Sequence, residues 1–321
     1  MPLFADTPEV LVTLLQYTLL GLTKGSLFAL IALGYTMVYG IVELINFAHG
    51  DLFMLGSFAA FSLLGLFGVR SAGNPYADAA LLLDCFLLAI VFCAGLNVLV
   101  DRVVYRPLRN APKLAPLVSA IGVSFIFMNV GLFWGGSQDV NFPNLVSDDN
   151  LLARESLFGE GAKLRFTAKD LMVVGVTVPL MVALTLFVKF TSLGTAMRAT
   201  AQNPVAAQLM GINTETVIAT TFAIGGALAG AASVTYGLYV NTISYQIGFQ
   251  NGLYAFTAAV LGGIGNIPGA VLGALIIGLV TSLGSFYVGE RWTSALVFAI
   301  LIVILVFRPS GLLGSRTREK V

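Results

Sequence analysis

Eight long apolar stretches dominate this chain, and no water-soluble core could absorb them. They lie at about 10–33, 35–67, 79–100, 114–135, 171–190, 217–240, 252–284 and 293–307. A hydrocarbon layer about 30 Å thick is crossed by roughly 20 apolar residues in a helix, and most of the stretches meet that length. Lipid leaves backbone polar groups no outside partner, so a spanning segment is either a helix or a strand of a closed barrel. The alternation that a barrel strand needs is missing here. Charged residues are 10% of the chain, where a soluble domain carries roughly 25%. The fold class expected is therefore all-α, a polytopic transmembrane bundle of 8–10 membrane segments, organised as a single domain over residues 1–321.

Two of the stretches, 35–67 and 252–284, run to about 33 residues, too long for one straight crossing. Each is interrupted, the first by Asn46-Phe-Ala-His-Gly-Asp51 and the second by Gly262-Gly-Ile-Gly-Asn-Ile-Pro-Gly269. Both are read as broken or re-entrant helices. Orientation follows from Lys and Arg, which concentrate in cytoplasmic loops. The connection 101–113 carries Arg102, Arg106, Arg109 and Lys113; 189–216 carries Lys189 and Arg198; the tail carries Arg308, Arg316, Arg318 and Lys320. These segments are placed inside, with the N-terminus and the long loop 136–170 outside. On this scheme 35–67 crosses once with a break in the middle. The stretch 252–284 begins and ends outside, as a re-entrant pair of half-helices broken near Asn266-Ile-Pro268. The turn at Gly159-Glu-Gly161, between Leu157-Phe158 and Leu164-Arg-Phe166, is read as a small β-hairpin.

Small residues four apart, at Gly21/Gly25/Ala29, Gly226/Gly230 and Gly269/Gly273, let helices approach closely in lipid and mark a bundle, not an activity. Cys85 and Cys93 share one predicted helix about 12 Å apart, too far to bridge, and read as small packing residues. The first nine residues hold no Lys or Arg, so the basic region that opens a cleavable signal peptide is missing.

Ionisable groups within membrane segments are costly and so point to function. Lys24, Glu43, His49 and Asp51 qualify, flanking or occupying the first broken segment, with Asp84 closer to a segment end. They read either as a polar pathway at the break or as helix-end caps near an interface. His49 is the only histidine, so no histidine-based metal cluster can form, and no Ser or Cys has an evident activating base. An enzyme is not expected, nor a metal. The scattered charge and net +1 give no nucleic-acid footprint. After Lys189, two short helices are predicted over 193–202 and 204–210, the second with Asn203 as N-cap, Pro204 in the first turn and Gly211 just past the end. Such a helix either lies on the membrane surface or docks on a cytoplasmic partner.

Gly34-Tyr-Thr-Met-Val-Tyr-Gly40, Asn46-Phe-Ala-His-Gly-Asp51, Ala258-Ala-Val-Leu-Gly-Gly-Ile-Gly-Asn-Ile-Pro-Gly269 and the Arg198–Gly211 loop together resemble the LivH-type permease subunits of branched-chain amino-acid ABC importers, from about Thr18 to Gly314. The resemblance implies a multi-pass protein of a bacterial inner (cytoplasmic) membrane, working with a homologous second permease subunit, two cytoplasmic ATPases and a periplasmic substrate-binding protein. It implies that Asn46, His49, Gly50, Asp51, Gly265, Asn266, Pro268 and Gly269 belong to the translocation pathway. It also implies that Arg198, Asn203, Pro204, Ala207 and Gly211 form the ATPase-coupling element within a cytoplasmic loop 191–213. No Gly-x-x-x-x-Gly-Lys-[Ser/Thr] motif occurs, so no cofactor is expected in this chain and ATP belongs to the partners. An ion-coupled secondary transporter, and a permease of the same family for urea or amides, are the alternatives.

Overall fold

A computed structural model describes residues 7–66, 75–109, 111–112, 114–152, 164–308 and 310–314. Over these residues the chain is a helical bundle. In order the helices are α1 (Thr7–Val42), α2 (Ala48–Leu66), α3 (Pro75–Val100), a π-helical turn (Asp101–Tyr105) running into the single turn α4 (Arg106–Leu108), α5 (Leu114–Gly135) and α6 (Ala168–Phe190). There follow α7 (Ser192–Gln202), α8 (Pro204–Leu209), α9 (Thr214–Val240), α10 (Ile247–Gly262), α11 (Ile267–Tyr287) and α12 (Glu290–Phe307). Among the described residues, 8 helices are long and apolar enough to cross a membrane, and the 16-residue α10 is a shorter ninth membrane element.

Side-chain contacts sort the helix ends onto two faces. On one face the Gln16 side chain bonds the Arg165 backbone (3.0 and 2.7 Å), Trp134 donates to Ser62 (2.9 Å), and Tyr17 stacks near Phe286 (4.5 Å between ring centroids). Here β1 (Val140–Asn141) pairs antiparallel with β2 (Thr242–Ile243), a two-residue ladder that ties the loop after α5 to the end of α9. Lys169 pairs with Asp148 at 2.8 Å; that bond, with one from Asn144, holds the Asp148 carboxyl below the usual carboxylate range. The opposite face gathers Arg102, Arg106, Arg109, Lys189, Arg198 and Arg308, and is the face expected in the cytoplasm. Cysteines introduced at Asp149 and Leu209, both exposed, are expected to label from opposite sides of the membrane; same-side labelling would overturn this orientation. The native Cys85 and Cys93 are buried and free.

The bundle is held by backbone-to-backbone approach. The α1–α11 pair is antiparallel, and a Cβ on Gly21 or Gly25 would lie 2.9 or 2.8 Å from the Cα of Leu279 or Leu275. α9 meets α3 in the same way, a Cβ on Gly226 coming within 2.9 Å of the Ala94 Cα. The expected small-residue faces are therefore interfaces, where dispersion replaces the absent hydrophobic drive. α1, α2 and α9 occupy the centre, while α3, α5, α6 and α12 form the periphery.

Two expectations about topology need correction. The stretch 35–67 is not one crossing with a central break, because α1 runs on to Val42 and α2 then returns toward the opposite face. The stretch 252–284 is not a re-entrant pair meeting in mid-membrane. Its turn, Gly263–Asn266, lies at the basic face, where Leu312 and Leu313 donate to the Leu261 and Gly262 carbonyls at 2.8 and 3.0 Å. α11, with 21 residues, is long enough to cross alone. The predicted hairpin at Gly159-Glu-Gly161 lies outside the described residues.

Candidate functional site

The first break is folded back into the bundle. Glu43 turns the chain with a left-handed backbone (φ 55) and is itself exposed, as an interface residue would be. Residues 44–47 then climb beside α1, so that His49, in the first turn of α2, lies against Gly34. Gly34 is eight residues, about 12 Å along the helix, before Val42. Non-helical backbone at such depth must be satisfied by protein. The His49 amide accordingly donates to the Asn46 carbonyl (3.1 Å).

The Asn46 side chain anchors this loop. Its Nδ2 donates to Asn97 Oδ1 (3.3 Å), its Oδ1 accepts from the Tyr105 hydroxyl (2.8 Å), and Asn97 Nδ2 donates to the Phe222 carbonyl (2.7 Å). All three side chains are buried. Asn97 and Tyr105 were not among the residues singled out in the sequence. The signal available was a lone Asn in an otherwise apolar helix, which must find a partner. Replacing Asn97 by Leu leaves the Asn46 amide nitrogen unpaired, at about 1–3 kcal/mol for a buried group. A lowered melting temperature of the detergent-purified protein is the expected result, and an unchanged one would show that this group finds another partner.

His49 is buried, its ring 4.8 Å from that of Tyr35 in an edge-on contact and close to the Ile31 carbonyl. Asp51 is buried as well. The Ser124 hydroxyl donates to its Oδ2, while Oδ1 has no hydrogen-bond partner. Asp51 lies in the first turn of α2, where the helix N-terminus favours an anion. Gly50 touches α10, a Cβ there falling 2.8 Å from the Gly252 Cα. Beside this contact lies a cavity of about 250 Å³ between α1, the break before α2, α5 and α10. Tyr35, Phe47, Ser124 and Phe125 line it, together with Gly248 and Leu253.

The second break is a capped turn. Gly263 and Gly265 have φ of 105 and 89, Asn266 caps α11 by accepting from the Gly269 amide (3.0 Å), and its Nδ2 donates to the Leu313 carbonyl (2.8 Å). Pro268 sits in the first turn of α11, and Gly269 packs against Gly262. The two breaks meet: a Cβ on Gly40 would lie 2.9 Å from the Gly265 Cα, and Asn46 and Ile264 line one narrow crevice. Gly50 and Gly269 are thus close-approach positions within helices, without positive φ.

The third group lies on the basic face. α7 and α8 form as predicted; Asn203 caps α8 by accepting from the Ala206 amide (3.0 Å), and Gly211 (φ 82) follows its end. Arg198 is exposed and bonds the Lys189 carbonyl (3.2 Å). Ala207 does not fit a docking role, since it is 4% exposed and faces the protein. The outward face belongs to Val205, Leu209 and Met210, exposed at 67%, 84% and 82%. A six-residue helix is too short for its sequence to reveal which side is buried. Behind it, Glu215 at the start of α9 pairs with Arg106 (2.8 Å) and Arg109 (2.7 Å), and Arg109 also pairs with Asp101 (2.7 Å). Ion pairs therefore run from the start of α9 to Asp101, and the π-helical turn that holds Asp101 also carries Tyr105, which bonds Asn46.

Residues 17–305 match the family model for the branched-chain amino acid transport system / permease component. The chain is 41% identical over 310 residues to the high-affinity branched-chain amino acid transport system permease protein BraD of Pseudomonas aeruginosa, covering 96% of this chain and 98% of that protein. It is 41% identical over 307 residues to the permease protein LivH of the corresponding system in Escherichia coli K12, covering 96% and 97%. Among solved structures, PsaBC from Streptococcus pneumoniae in complex with Fab aligns over 92% of both chains, with 13% identity and a TM-score of 0.49.

Proposed function

The chain belongs to the family of branched-chain amino acid transport system permease components, and from that premise we propose how it works within an ATP-driven importer. It is a multi-pass membrane transport subunit, not an enzyme. In our reading it spans a bacterial inner membrane as one permease domain, with 136–170 external and 191–213 cytoplasmic. It pairs with a homologous second permease subunit, receives branched-chain amino acids from a periplasmic binding protein, and is driven by two ATPases that hold the nucleotide.

The observation that carries this reading is the joining of two features by one set of contacts. At membrane depth, the folded-back break Asn46–Asp51 sits beside an apolar cavity, and its Asn46 end shares a crevice with Ile264 of the turn on the basic face. On the basic face, a capped, outward-facing helix supplies an apolar surface. Broken helices place backbone ends where transporters bind or gate substrate. Ion pairs from Glu215 to Asp101 and the Tyr105–Asn46 hydrogen bond, joined through the π-helical turn 101–105, link the start of α9, which follows α8, to the break. His49 and Gly50 hold the break against α1 and α10. Uptake by proteoliposomes containing all the subunits is expected to require both ATP and the binding protein. Uptake that persists without ATP, at fixed ion gradients, would instead identify an ion-coupled carrier.

A further inference from the structure

We propose that Asp51 receives the α-ammonium group of the amino acid in transit, while the neighbouring apolar cavity takes its branched side chain. This assignment rests on the permease reading above and names a subsite within it.

The argument begins with charge. Asp51 is 1% exposed in a membrane-crossing helix, and the ion pairs found among the described residues involve Asp101, Asp148 and Glu215 instead. A buried carboxylate without a cation is costly unless its lone pairs are met. Ser124 meets Oδ2, and the start of α2 supplies a partial positive field, but Oδ1 accepts nothing. An acceptor left open in this way suits a cation that arrives and leaves, and an ammonium offers three donors.

One glycine places the carboxylate next to the cavity. Ser124 and Gly248 both line the cavity, and a Cβ on Gly248 would stand 2.8 Å from Asp51 Oδ1 and 2.8 Å from the Gly50 carbonyl oxygen. Oδ1 therefore packs directly against a residue of the cavity wall. The cavity itself, about 250 Å³, is walled by Ile121, Phe125, Met128, Phe249 and Leu253. Its volume lies just below the roughly 300–1,000 Å³ of pockets for drug-sized ligands, as suits a smaller guest. Ile121, Phe125 and Phe249 are 41%, 55% and 60% exposed, so its mouth opens at the surface of the chain. An aliphatic group against this wall and an ammonium at Asp51 together describe an amino acid of the branched-chain type.

The rival explanation is that Asp51 and Ser124 merely join α2 to α5. Asp51→Asn keeps an acceptor for Ser124 and removes the charge, whereas Ser124→Ala removes the bond and keeps the charge. In the assembled transporter, leucine uptake is expected to fall about tenfold or more in Asp51→Asn, the scale of losing a charge-assisted hydrogen bond, and by less in Ser124→Ala. Equal losses would overturn the proposal. A second readout does not depend on uptake. With Phe249→Cys in the assembled transporter and no binding protein, millimolar isoamylamine is expected to slow thiol modification and 4-methylpentanoate is not. Adding Asp51→Asn should abolish that protection, and Asp51→Glu should retain it. Equal protection by both compounds, or protection that survives Asp51→Asn, would sink the assignment. Absence of ATP-dependent leucine uptake in the wild type would count against the permease reading, whereas the protection pattern judges Asp51 itself.

Discussion

Gly50→Val is expected to abolish uptake while leaving chain in the membrane. A Cβ at this position would lie 2.8 Å from the Gly252 Cα and closer still to the Gly248 carbonyl oxygen. Both obstacles are backbone, so no side chain can rotate aside and α10 itself must move. Overpacking of this kind costs about 1–3 kcal/mol, sometimes more. The larger effect falls on function, because α10 forms one wall of the cavity and its far end carries the turn that meets Gly40. Gly175 of α6 has open space where its Cβ would stand, so Gly175→Val is the control and should transport normally. Membrane content by immunoblot with leucine uptake per unit protein checks both. Normal uptake by Gly50→Val would mean that α2 and α10 need not touch.

Gly211→Val should cost nearly as much, for a different reason. Nothing lies within 4 Å of a Cβ there, so space is not the obstacle. The backbone is, because φ of 82 is a left-handed conformation that a β-branched residue adopts at about 1–3 kcal/mol. Gly211 ends α8, with its amide bonded to the Gln208 carbonyl (3.0 Å) and that of Ile212 to Ala207 (3.0 Å). Straining this turn disturbs the end of α8 and its connection to α9. Asn enters the left-handed region more easily than other non-glycine residues. Gly211→Asn is therefore expected to keep most uptake where Gly211→Val loses it. Equal uptake by both would show that the end of α8 is free to rearrange.

Much of this architecture was legible in the sequence, and the exceptions share a cause. Apolar length located the helices, and Gly, Pro and Asn marked the interruptions at 46–51 and 262–269. Hydropathy does not register direction, however. A chain that pauses at Asn46 and continues looks the same as one that pauses and turns back. The Asn266 and Asn203 caps were readable because capping is local, set within three residues. The Asn46–Asn97–Tyr105 cluster was not, since its members lie 51 and 59 positions apart. The resemblance alone points Ala207 at a docking surface; the packing that buries it is tertiary. The two-residue pairing of Val140–Asn141 with Thr242–Ile243 is too short to leave any pattern.

Whether ATP drives this chain through α8 is tested most directly by retention of the ATPases. Leu209→Glu and Met210→Glu, at side chains 84% and 82% exposed, change the outward surface without disturbing the Asn203 cap or the buried Ala207. In detergent extracts from cells expressing the full set of subunits, both ATPases should be lost from the tagged permease carrying the double substitution. The unsubstituted chain should retain them, and stimulation of ATP hydrolysis by the loaded binding protein should disappear with them. Full retention of the ATPases with undiminished stimulation would contradict the account, leaving α8 as a helix that only lies on the membrane surface.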